Sequence, residues 1–124
     1  MSGSAYAQTI QVKANIPFNF VVSGKTMPAG AYTIQTYGPA DGKTLLVRSD
    51  DQQEKAMINA ISAQSLEPSD RTKLVFHRYA DRYFLSQVWV AGNNRGHQLP
   101  KSGRESEVAL DFPVHNVVLM AEAR

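Results

Sequence analysis

The chain contains no cysteine. That removes a disulfide frame, a thiolate metal site and a cysteine nucleophile from consideration. No apolar run approaches the roughly 18 residues that would cross a bilayer as a helix. G-x-S-x-G, a glycine-rich phosphate loop and H-E-x-x-H are all missing, so the enzyme classes that those motifs announce have no foothold. Tryptophan occurs once, at Trp89. Acids are scarce in one long interval: between residues 71 and 104 the only one is Asp81.

What is present fits one folded domain. The 124 residues can bury a core without covalent staples, and 43% apolar against 19% charged residues argues against wholesale disorder. Residues 1–7 stand apart. Met1-Ser2-Gly3-Ser4 reads as a cloning scar. Ala5-Tyr6-Ala7 before Gln8 is the small-residue pattern of a signal-peptidase site, which predicts export to the periplasm, cell surface or medium. The domain is expected over residues 8–124.

Periodicity predicts an all-β, mainly antiparallel fold. Ile10, Val12, Ala14, Ile16, Phe18, Phe20 and Val22 alternate with mostly polar neighbours, the period of a strand with one buried face. Pro17 cannot donate to a ladder and marks an edge, a bend or a break into two short strands. Further strands are expected over residues 31–37, 44–49 and 114–120. Pro28-Ala29-Gly30 and Asp41-Gly42 supply turns. Residues 55–63 fit helix and strand periods loosely, and the surrounding rhythm favours strand. Residues 121–124 read as a frayed tail.

The densest stretch is residues 73–90, KLVFHRYADRYFLSQVWV, a hairpin. A two-residue turn at Ala80-Asp81 sets Phe76 opposite Leu85 and Arg78 opposite Tyr83. Ser102-x-x-Glu105 matches a capping box and predicts a short helix over residues 103–110, with Val108 and Leu110 inward. The expected count is seven or eight strands in a small β-barrel or β-sandwich. The barrel is favoured, with the first and last strands pairing near Ile10 and Val118.

Chemistry is less legible. His77, His97 and His115 show no ligand spacing, so no metal or other cofactor is expected, and they read as half-buried strand positions. Ser86 suits a strand better than a nucleophile, and Glu105 has no partner visible in the sequence. No catalytic residue is therefore named, and the reading is of a protein that is not an enzyme. Arg71, Lys73, Arg78, Arg82, Arg95, Lys101 and Arg104 are interleaved with Tyr79, Tyr83, Phe84 and Trp89. That composition can hold an anionic glycan or a lipid headgroup, with Arg78, Arg82, Tyr83 and Trp89 as the ligand-binding candidates. Nucleic acid is not expected for an exported chain of net charge +2.

Residues 14–34, ANIPFNFVVSGKTMPAGAYTI, residues 73–89, KLVFHRYADRYFLSQVW, and the following LPKS at residues 99–102 resemble a group of small exported proteins predicted from acidobacterial genomes. The resemblance covers most of the chain. It implies export and a compact β domain, and it carries over no catalytic residue. The expected role is binding or self-association, with the N-terminal strand as a homo-oligomer contact. A lipocalin-like carrier of a small apolar ligand is the second expectation. An enzyme with a site assembled across strands is the third. A cluster of the histidines with an acid would favour that last one.

Overall fold

The computed structural model describes residues 10–37 and 43–123. Twelve strands and one helix follow in order: β1 (Gln11–Ile16), β2 (Phe20–Val22), β3 (Lys25–Met27), β4 (Gly30–Thr36), β5 (Thr44–Ser49), β6 (Lys55–Asn59), β7 (Ile61–Gln64), β8 (Lys73–Tyr79), β9 (Arg82–Trp89), β10 (Arg95–Gln98), α1 (Gly103–Asp111), β11 (Val114–Met120) and β12 (Glu122–Ala123). One sheet runs β12-β1-β4-β5-β6. The other runs β11-β8-β9-β10-β7, with β2 and β3 attached through β9. The fold is mainly antiparallel β; β2 and β9 form a parallel pair at Val21 and Phe84.

The predicted seven or eight strands become twelve among the described residues, because several long segments break and change sheet. Pro17 divides residues 10–22 as the missing donor requires: β1 stays in the first sheet and β2 joins the second. Residues 55–63 are strand, but they break at buried Ala60, whose N–H bonds the Lys43 carbonyl. β6 lies in the first sheet and β7 in the second. Ser23 and Gly24, both at positive φ, turn β2 into β3. The Asp41-Gly42 turn lies outside the described residues.

The sheets do not close into a barrel. β11 pairs with β8, not with β1, and β1 lies between β4 and β12. The expected frayed tail is the reason. Glu122 and Ala123 pair with Lys13 and Val12, so they take the edge that barrel closure needed. Both sheets turn one face to a shared core. There the Phe20 ring stands edge-on to Tyr32 at 5.0 Å and to Phe76 at 5.8 Å. Phe18 stacks on Tyr83 at 3.8 Å. Such pairs add roughly 0.5–1.5 kcal/mol each beyond the area they bury.

The β8–β9 hairpin has the expected register, Phe76 opposite Leu85 and Arg78 opposite Tyr83, about a turn at Ala80-Asp81. One irregularity was not foreseen. Val75 faces Gln87 while Phe76 faces Leu85, so Ser86 has no residue opposite it. This is a β-bulge, and it redirects the strand locally. The helix starts as predicted, with the Glu105 N–H donating to Ser102 Oγ at 3.1 Å. Leu110 does not turn inward; it is 86% exposed. Five residues advance a helix by about 140° beyond a full turn, so the face that buries Glu105 carries Leu110 away from the sheet. Val108 is half-buried.

Candidate functional site

The outer face of the second sheet holds two contrasting surfaces. At one end α1 covers it. His77 and Tyr79 project outward from β8, alternating with core residues Leu74 and Phe76. Phe84 and Ser86 project to the same side from β9, and Glu105 comes down from the first turn of α1. His77 Nδ1 lies 2.7 Å from Glu105 Oε2, and the Tyr79 hydroxyl donates to that same oxygen at 2.8 Å. Ser86 Oγ lies 3.3 Å from His77 Nε2. Glu105 is 4% exposed and Ser86 5%, whereas the His77 side chain keeps 29% of its surface in solvent.

The protonation pattern follows from the partners. A carboxylate only accepts, so Nδ1 of His77 carries the proton that points at Glu105. In the neutral imidazole this leaves the Nε2 lone pair facing the Ser86 hydroxyl. The Tyr79 hydroxyl is pushed up to about 12, first by burial, then by its bond to Glu105 and by that carboxylate's charge. The four groups therefore form one chain, Ser86 to His77 to Glu105, with Tyr79 as the second donor to the acid. A hydroxyl, a base and an acid that orients the base are the parts of an activated nucleophile.

Local sequence explains how the parts meet. Ser102 caps α1, which fixes Glu105 in the first turn. The capping-box reading gives the Glu105 carboxylate a local role at the Ser102 amide. In the fold that carboxylate is turned onto β8 instead, and only the Ser102 half of the box is made. The bulge at Ser86 aims its hydroxyl at the strand beside it.

The edge of this face along β11 is uncovered, and it runs beside the cluster, with Val114 opposite Tyr79 and Asn116 opposite His77. Val114, Val118 and Met120 of β11 are about half exposed, as is Phe112 just before them. Among the described residues β11 pairs with β8 alone, so its second edge is open. Val117 and Leu119 point the other way and pack against the core.

The predicted ligand residues are distributed along the hairpin. Arg82 is exposed beside the turn, and Arg78 pairs with Tyr83, whose ring is held against Phe18. Arg78 Nε is buried without a hydrogen-bond partner. Trp89 sits at the far end of β9, roughly 20 Å from Tyr83 at strand rise. It is on the outer face, beside a groove of about 490 Å³ lined also by Glu67, Asp70, Lys73 and Gln87. Its indole nitrogen donates to Gln87 Oε1 at 2.9 Å. The fold thus brings Arg78, Arg82 and Tyr83 to one end and Trp89 to the other.

The three histidines lie on β8, β10 and β11, and His77 meets Glu105 at ion-pair distance. Among the described residues no group of three or more His, Asp or Glu side chains is placed to hold a metal ion. Likewise no helix there is long and apolar enough to cross a membrane. Compared with protein-family models, with curated proteins and with solved structures, the chain matches none of them.

Proposed function

We propose that this protein is an exported β domain that works by self-association, through strand addition at β11. The observation that carries the reading is the character of that edge. β11 is seven residues long, open on one side, half exposed on its outer face and without a charged residue from Val114 to Met120. Edge strands are ordinarily protected by charge, by proline or by brevity. The other edges follow that rule: β6 carries Lys55, β12 has Glu122 and two residues, and β7 has four residues.

A second copy of β11 suits the edge. In an antiparallel pair centred on Val117, Val114 meets Met120 and Asn116 meets Val118 of the other copy, so outer-face residues stay together. The arrangement is its own complement, as a two-fold interface requires. The contact is placed at β11 rather than at the N-terminal strand, because β1 is paired along its length with β4 and at Val12 and Lys13 with β12. Export rests on Ala5-Tyr6-Ala7 and on the acidobacterial resemblance.

The carrier reading has less support, since Phe18, Phe20, Tyr32, Phe76 and Tyr83 occupy the space between the sheets that a ligand would need. Light scattering coupled to size exclusion, over a concentration series, tests the proposal. A dimer that becomes a monomer on Val118→Lys is the expected result. A wild-type protein that stays monomeric at millimolar concentration ends it.

A further inference from the structure

The cluster beneath α1 has no part in strand addition, and its geometry points to a separate capacity. We propose that Ser86 is an activated hydroxyl that accepts an acyl group from a small activated ester, with His77 as base and Glu105 as the residue that positions it.

Three observations carry this. The order of atoms is directional: Ser86 Oγ to His77 Nε2 at 3.3 Å, then His77 Nδ1 to Glu105 Oε2 at 2.7 Å. Glu105 is almost fully buried, and its carboxylate holds the imidazole in the tautomer whose free lone pair faces the serine. Ser86 is also the bulged residue of β9, and bulges re-aim side chains beside functional sites. A clamp that only fastened α1 to the sheet would be complete with Glu105, His77 and Tyr79. The serine extends the chain by one group, on the side of the imidazole away from the acid.

The step balances within the cluster. Ser86 Oγ attacks the ester carbonyl carbon while its proton passes to His77 Nε2. The new Oγ–C bond forms, the bond to the leaving oxygen breaks, and the proton on Nε2 moves to that oxygen. The relay supplies a base and a positioning acid, so a single acylation of Ser86 is expected, followed by slow release. Ser86 is 5% exposed, so the probe must be small. The partly exposed His77 imidazole marks the side from which it would approach.

The test uses the full chain with p-nitrophenyl acetate and, separately, a small fluorophosphonate, read by intact mass and peptide mapping. One adduct on Ser86 is expected, absent in Ser86→Ala. The rate should fall at least about a hundredfold in His77→Gln, the loss that goes with removing a positioned base. Circular dichroism reports whether each variant is folded. If His77→Gln does not fold, His77→Asn replaces it: labelling should fall likewise, with the dichroism of the wild type. Either of two results overturns the proposal: a folded wild type with no adduct on Ser86, or ester cleavage that persists unchanged in Ser86→Ala. The four side chains would then be a clamp for α1 and nothing more.

Discussion

Two neighbouring regions of one sheet face invert the ordinary rule of burial. Under α1 the buried side chains include a carboxylate, a phenol and a serine hydroxyl. Along β11, where no helix lies, valine and methionine face solvent. A buried polar group is tolerated only when its hydrogen bonds are made, and here each one has a partner within the cluster. An apolar strip in water is tolerated readily in a monomer, yet on an open strand it is the kind of surface that strand addition, the function proposed above, would use. The covered region is thus closed by internal satisfaction. The uncovered edge is where, on the proposed reading, another chain would supply what is lacking.

Substitutions separate the two regions. Glu105→Ala should have the largest effect. It takes the acceptor from His77 and from buried Tyr79 together, at a cost of about 3 kcal/mol in urea unfolding, since bonds to a charged group are strong and an orphaned buried donor adds its desolvation. A loss below about 0.5 kcal/mol would show that the covered region is no more integrated than the open edge.

Next is Tyr79→Phe, which sharpens the electrostatic half of the contrast. The folded phenol titrates near 12 instead of its ordinary 10.0. A raised acid contributes stability that is complete below the unfolded value and is lost as pH climbs from 10 to 12. Wild type should therefore lose roughly 2 kcal/mol over that window relative to Tyr79→Phe. Tyr32, also raised by burial, is common to both proteins and cancels. Parallel profiles would place Tyr79 outside the buried cluster.

Gly96→Ala probes packing at the Trp89 end. A Cβ there would meet Trp89 Cδ2 and Cε3 and the Val88 carbonyl oxygen at 2.8 Å. The expected loss is about 1–2 kcal/mol, with the indole displaced. Val118→Lys should matter least to the fold, within about 0.5 kcal/mol, while abolishing association. If it destabilised the monomer as much as Gly96→Ala, the strip would be part of the core and not a surface.

Much of the frame was legible from residues 73–90. A two-residue turn between apolar runs leaves one register, and Phe76 and Leu85 duly face each other. The Ser102 cap was legible for the same local reason. The covered site was not, because its members are far apart in the chain: Glu105 reaches His77 across 28 residues. The capping pattern also offered Glu105 a complete local explanation. The bulge hid Ser86, since alternation on either side of an extra residue looks continuous in one dimension. The barrel expectation failed at Glu122 and Ala123, a pair too short to carry a period, whose strand character comes entirely from the β1 edge beside them.

Trp89 deserves its last consequence from its position. The molecule's only indole lies at the end of β9 remote from α1, pressed on Gly96 and tied to Gln87. It is a built-in optical gauge of the β9–β10 end alone. Helix detachment from the sheet would pass without a change in its emission, and would be read only by dichroism or by the tyrosines. Following both signals through one unfolding experiment would time the release of the two ends separately.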